Sequence, residues 1–253
     1  MTPAPQPAAI PPAISPNELP GAPTDASTEA FAREEICRVG RSLFERGYVH
    51  ATAGNISMRL PDGFLITPTD ACLGRLDPAA LAKVDAQGRQ QGGERASKTL
   101  ALHRRIYEAS AGTAAPARCV IHTHSTHCVA LTLLQTQAGA AGPAGELLPA
   151  LTPYFVMKVG HVPLLPYARP GDEATATRVQ EAIRRYADAG TPIRAVMLDR
   201  LGPNVWHDSP AAAMAALEEL EETARLWLLA GRAAAPLDEA AIEALRSAFG
   251  AHW

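Results

Sequence analysis

The chain has 253 residues, of which 47% are hydrophobic and 19% charged, with a formal net charge of −3. That length can bury a sizeable core in one large domain or two small ones, and a charge so near zero removes the main reason to expect nucleic acid or an anionic membrane as a partner. Four scattered cysteines (Cys37, Cys72, Cys119, Cys128) without a CxxC pair read as reduced thiols of a cytoplasmic protein rather than a disulfide framework.

Residues 1–27 form a proline-rich arm, with eight prolines in the first 23 residues and Glu18 as their single charged side chain. Such a segment has little to bury and no periodicity, so by itself it is expected to be extended or disordered. The domain proper, residues 28–253, opens with a helix capped by Ser27 or Thr28, in which Phe31, Ile36, Val39, Leu43 and Phe44 recur at helical spacing, and stops at Arg46-Gly47. Residues 54–60 alternate like a strand, Pro61-Asp62-Gly63 turns, and residues 64–67 return as a hairpin arm. Ser97 opens a second helix, and Cys119-Val120-Ile121 is a buried strand running into His122-Thr123-His124. Thr126 caps the helix that follows. Residues 163–167 are extended, Arg169-Pro170-Gly171-Asp172 is a structural turn into a helix from Glu173 to Ala189, and residues 195–198 form another strand. Ser209-Pro210 starts the longest helix, residues 211–230. The irregular alternation indicates one α/β domain with a mixed sheet, without repeats, membrane span or secretory leader.

The sharpest chemical signal is His122-Thr123-His124. Residues i and i+2 of a strand share a face, so both imidazoles can reach one metal ion. His127 falls at the start of the next helix and is expected to hydrogen-bond locally. Asn55, Thr67-Pro68-Thr69 and Ser97-Lys98 are short polar residues at loops, suited to an anion, although each alone is an ordinary turn or cap residue. Glu218, Glu219, Glu221 and Glu222 read as a solvated helix face, and Trp206 and Trp227 as packing residues.

Together these residues resemble the class II aldolase/adducin family. The anchors are Ala53-Gly54-Asn55-Ile56-Ser57-x-Arg59, Ile66-Thr67-Pro68-Thr69, Ser97-Lys98, His103-x-x-Ile106-Tyr107, His122-x-His124-Ser125-x-His127 and Pro166-Tyr167-x-x-Pro170-Gly171, with Glu218-Glu219-Leu220-Glu221 later. Gly74-Arg75-Leu76-Asp77, Ser97-Lys98 and residues 154–160 resemble most the 3-oxo-tetronate 4-phosphate decarboxylase branch, beside fuculose-phosphate aldolases. The resemblance implies a three-layer α/β/α fold around a central, largely antiparallel or mixed sheet. It also implies a cytoplasmic homotetramer with sites at subunit interfaces, and a lyase that breaks a carbon–carbon bond of a phosphorylated sugar acid or sugar phosphate through a metal-stabilised enediolate. His122 and His124 would hold a divalent metal, expected to be zinc. Asn55, Thr69, Ser97 and Lys98 would bind the phosphate, and Tyr154 of a neighbouring subunit would donate a proton.

Three positions depart from the family pattern. Leu201 stands where the third metal histidine belongs, Thr99 where the acid/base glutamate belongs, and Asp70 where a glycine approaches the phosphate. Leucine has no lone pair for a metal, and an unperturbed hydroxyl is no base near pH 7. Asp199 and His207 are possible substitute ligands. Losing a β-keto acid's CO2 needs an electron sink and a proton donor, whereas retro-aldol cleavage also needs a base, so Thr99 harms a decarboxylase less than an aldolase. A catalytically degenerate homologue with a binding or assembly role, as in adducin, is the competing expectation.

Overall fold

The computed structural model describes residues 25–138 and 145–253; most of the proline-rich arm lies outside the described residues. The chain builds α1 (Asp25–Glu45), the hairpin β1 (Asn55–Leu60) and β2 (Gly63–Ile66), two 3-10 turns (Leu73–Arg75 and Pro78–Ala80), β3 (Ala82–Asp85) and β4 (Gln90–Gly92). There follow α2 (Leu100–Ser110), β5 (Cys119–His122), α3 (Thr126–Ala138), α4 (Pro153–Lys158), β6 (Leu164–Leu165) and α5 (Glu173–Asp188). The last elements are β7 (Ala195–Leu198), β8 (Gly202–His207), α6 (Pro210–Leu229) and α7 (Glu239–Phe249).

One eight-stranded sheet has the order β4-β3-β2-β1-β5-β8-β7-β6. Every described pairing is antiparallel except β6–β7. Alternation along the strands sorts side chains to two faces. Ile56, Ile121, Met197 and Val205 pack with Ile36 and Leu43 of α1, Leu131 of α3, Phe155 of α4 and Leu217 of α6. Phe64, Val120, Val196 and Trp206 pack on the opposite face with Ile106 and Tyr107 of α2 and Val179 and Ile183 of α5. The result is the expected three-layer α/β/α arrangement with a mixed, mostly antiparallel sheet. No described helix is long and apolar enough to cross a membrane.

Several elements differ from the sequence reading. The second helix begins at Leu100 rather than Ser97, because the Ser97 N–H donates to the Thr67 carbonyl (3.2 Å) and Ala96 bridges Pro68. This stitches the Ser97-Lys98 loop to the end of β2. Strands β3, β4 and β8 and helices α4 and α7 went unread. β3 is a four-residue strand with Lys83 and Asp85 in it, β4 is Gln90-Gln91-Gly92 and β8 opens on Gly202-Pro203, and α4 has only six residues, held by the Thr152 cap and a proline in its first turn. Phe31 of α1 is 62% exposed despite its helical spacing.

The acidic run on α6 is not a solvated face. Glu221 is buried, and its carboxylate accepts from the His127 N–H (2.8 Å), the Cys128 N–H (3.0 Å) and His127 Nδ1 (2.8 Å). It therefore caps the N-terminus of α3 from another helix, where orphan N–H groups and the helix dipole favour an anion. His127 is satisfied there, as a packing residue rather than a ligand. Glu221→Gln keeps the shape but turns an amide NH2 toward a backbone N–H. We expect it to cost about 2–3 kcal/mol of stability, read as a lowered urea midpoint at unchanged m-value.

Candidate active site

The register of the central strands sets the floor of the site. Asn55 of β1 pairs with His122 of β5, and His122 pairs with Asn204 of β8. Their neighbours Ile56, Ile121 and Val205 face α1, α3 and α6, so this row faces α2 and α5. His122 is almost fully buried, and its Nδ1 lies 2.9 Å from the Pro203 carbonyl. A carbonyl can only accept, so Nδ1 carries the proton and Nε2 keeps its lone pair. Burial first, then the nearby His124, depresses His122 to a pKa of about 4, which leaves it neutral at pH 7. His124 follows with its ring centroid 5.0 Å away; burial, then His50, lowers its pKa too. Below the pair, His103 of α2 is buried with Nδ1 2.7 Å from Ser57 Oγ, which also meets Tyr107 Oη at 2.8 Å. Desolvation, with His122 nearby, depresses His103 to about 3.

Two glycines clamp this segment from either side. A Cβ on Gly54 (φ +86°) would sit 2.9 Å from the His122 carbonyl oxygen, and one on Gly202 (φ +139°) only 1.9 Å from that of Thr123. The His-Thr-His backbone thus runs between two strands that approach it more closely than any side chain permits.

Above the floor opens a cavity of about 270 Å³. Asn55, Thr69, Asp70, Ser97, Lys98 and Thr99 line it from the β1–β2 and α2 side, and residues 168–173 with Asp199 and Leu201 from the α5 and β7 side. Ser97 Oγ and Thr99 Oγ1 are 3.0 Å apart. The expected metal pair and anion-binding residues, scattered over about seventy positions of sequence, therefore share one cavity. Asp70, in a left-handed conformation (φ 57°), lies on the wall and exposed. Tyr154 does not reach this cavity; it stands 62% exposed on α4.

Neither proposed substitute completes a three-ligand site. His207 lies at the far end of β8, opposite Cys119, and bonds Asp208 at 2.7 Å. Asp199 does line the cavity, with Oδ1 buried and without a hydrogen-bond partner among the described residues, but no cluster of three or more His, Cys, Asp or Glu with metal-binding spacing forms among those residues. Leu201 instead packs beside the apolar cluster of α2 and α5. The sequence reading also missed Arg169: its turn, taken as purely structural, lies on the cavity wall. Nothing local marks it, because the strand order alone brings the β6–α5 connection beside the histidines.

The donor set still fits a divalent ion. Two neutral imidazoles face the cavity, and one has its tautomer locked by a carbonyl that accepts from its other ring nitrogen, as metal-binding histidines commonly do. The wall carries two cations, Lys98 and Arg169, against four carboxylates, Asp70, Asp172, Glu173 and Asp199. A divalent cation offsets that excess of two negative charges and lets an anion enter.

Comparison with known proteins identifies the family and the fold. The family described as Class II Aldolase and Adducin N-terminal domain matches residues 34–228. The 3-oxo-tetronate 4-phosphate decarboxylase of Cupriavidus necator is 54% identical over 234 residues, covering 90% of this chain and 100% of the relative. The enzyme of the same name from Escherichia coli is 40% identical over 209 residues, covering 81% and 90%. The crystal structure of YgbL from Klebsiella pneumoniae superposes with a TM-score of 0.76 at 36% identity, covering 86% of this chain and 99% of that one.

Proposed function

The chain belongs to the class II aldolase and adducin family, and from that premise we propose that it is a lyase that decarboxylates a phosphorylated 3-oxo sugar acid, with 3-oxo-tetronate 4-phosphate as the substrate to test first. The observation that carries this reading is the neutral His122–His124 pair, with Nδ1 of His122 committed to Pro203, at the floor of a cavity carrying two cations.

In this reaction the bond between the carboxyl carbon and its neighbour breaks and CO2 leaves. The electron pair spreads onto the keto oxygen, and a proton then arrives at the carbon. In our reading Asn55, Thr69, Ser97 and Lys98 hold the phosphate through short neutral donors and one positive charge. His122 and His124 would hold a divalent metal, expected to be zinc, which would supply a Lewis acid for the substrate's oxygens. The Thr99 hydroxyl shares a hydrogen bond with that of Ser97 and takes no proton. That is tolerable because decarboxylation needs no base at a hydroxyl, and it favours this reaction over aldol cleavage.

Tyr154, exposed and outside its own chain's cavity, acts in this reading on a neighbouring subunit's site within a homotetramer, donating its phenolic proton. The thiols are free, with Cys37, Cys119 and Cys128 buried, which supports a cytoplasmic setting. Relatives named as decarboxylases at 54% and 40% identity favour a working site over the degenerate, adducin-like alternative.

The test pairs elemental analysis with turnover. Protein purified without chelator is expected to hold about one divalent ion per chain and to release CO2 from 3-oxo-tetronate 4-phosphate, with much slower cleavage of fuculose 1-phosphate. Absence of both metal and CO2 release after zinc or manganese supplementation would return the protein to a binding or assembly role.

A further inference from the structure

We propose that Arg169 is the residue that recognises the substrate's carboxylate, and so distinguishes a sugar-acid phosphate from a sugar phosphate without that group. This deepens the substrate reading above and rests on it. Arg169 lies on the wall of the cavity that holds His122 and His124. Among the described residues its side chain makes no ion pair and no hydrogen bond, and Lys98 is likewise unpaired. Unpaired arginines occur elsewhere on the described surface, and what sets Arg169 apart is its place on the wall that also carries the histidines and Lys98. Four carboxylates share the wall, but neither Lys98 nor Arg169 pairs with one of them, so both cations stay available to a ligand with two anionic groups.

Strand order places the two cations on either side of the histidines. Lys98 sits on the loop stitched to the end of β2, whereas Arg169 follows β6, and β5 with its histidines lies between those strands. A four-carbon acid phosphate carries its charges at opposite ends, so one end meets Lys98 and the other Arg169.

The chemistry of the two walls decides which end goes where. The Lys98 side offers the hydroxyls of Thr69 and Ser97 and the amide NH2 of Asn55, donors suited to several phosphate oxygens. The Arg169 side has no comparable cradle. Its helix N-terminus is already occupied by the Asp172 carboxylate, which accepts from the Ala174 N–H at 2.9 Å, with Glu173 beside it. Two carboxylates there repel a phosphate dianion more than a carboxylate monoanion. A planar guanidinium matches a carboxylate through two parallel hydrogen bonds. Such an interaction serves affinity and selection rather than the chemical step, since the carboxylate's charge departs as CO2 forms.

Titration calorimetry on zinc-loaded protein separates the possibilities, with 4-phosphoerythronate as the acid that cannot lose CO2 and dihydroxyacetone phosphate as the ligand lacking the carboxylate. The wild type is expected to prefer the acid. Arg169→Gln, at an exposed loop position that does not threaten folding, should weaken acid binding by about tenfold or more and leave dihydroxyacetone phosphate within about twofold. Arg169→Lys should fall between, and Lys98→Gln should weaken both ligands. Equal loss of both ligands in Arg169→Gln would make Arg169 a phosphate ligand, and an undiminished preference for the acid would make it a surface residue; either result overturns the assignment while the substrate reading stands. A wild type that shows no preference for the acid overturns both.

Discussion

His122→Ala is expected to abolish bound divalent metal and turnover together. The substitution removes the nitrogen whose lone pair is fixed toward the cavity by the Nδ1–Pro203 hydrogen bond, and leaves His124 as a lone imidazole. Removing a partner that merely orients a ligand costs about 10- to 100-fold in metal affinity, so removing the ligand itself should exceed about 100-fold. The variant also removes one of the two hydrogen bonds the Pro203 carbonyl accepts, leaving that from the Thr123 N–H (3.3 Å), and opens space under α2, at a cost of about 1–3 kcal/mol. Elemental analysis and turnover are therefore measured on protein whose folding has been checked by its thermal transition. Full activity without metal would remove the histidine pair from the mechanism.

Gly202→Ala should be the most damaging small substitution near the site. Its Cβ would lie 1.9 Å from the Thr123 carbonyl oxygen and 3.2 Å from His124 Cα, at a φ of +139° that L side chains rarely adopt. Neither neighbour is a flexible side-chain tip; both belong to the backbone that carries the two histidines. Relief requires β8 to part from β5 or the histidine segment to shift. We expect a loss of more than about 3 kcal/mol of stability and metal binding weakened beyond what unfolding explains. The check is a denaturation curve beside a metal titration of the folded fraction. A stable variant with unaltered metal affinity would mean that the clamp has slack.

The comparison of Glu221 with His122 shows where sequence reading stops. His122-Thr123-His124 was legible because a strand's two-residue period joins neighbours in sequence to one face. Glu221 was misread because its partners, His127 and Cys128, lie more than ninety positions away. In sequence it is one more glutamate among four. Arg169 was passed over for a similar reason: a Pro-Gly turn explains itself locally, and only β6 beside β7 carries that turn to the cavity. The misplaced start of α2 has a tertiary cause as well, since the Thr67 carbonyl holds Ser97 outside the helix.

Local periodicity and spacing alone mark the helices with strong apolar stripes, the histidine pair, the short polar loops, and the ordered motifs by which the chain resembles its family. Each depends on residues within a few positions of one another, where backbone geometry dictates what shares a face. Which of those pieces meet follows from the assembled sheet. The register Asn55–His122–Asn204, the Pro203 carbonyl that fixes the His122 tautomer, the burial that keeps His122 and His103 neutral, and the wall that joins Lys98 to Arg169 all come from strands far apart in sequence packing side by side. Hydrogen bonds and desolvation act through space, so their outcome becomes readable once the sheet is assembled.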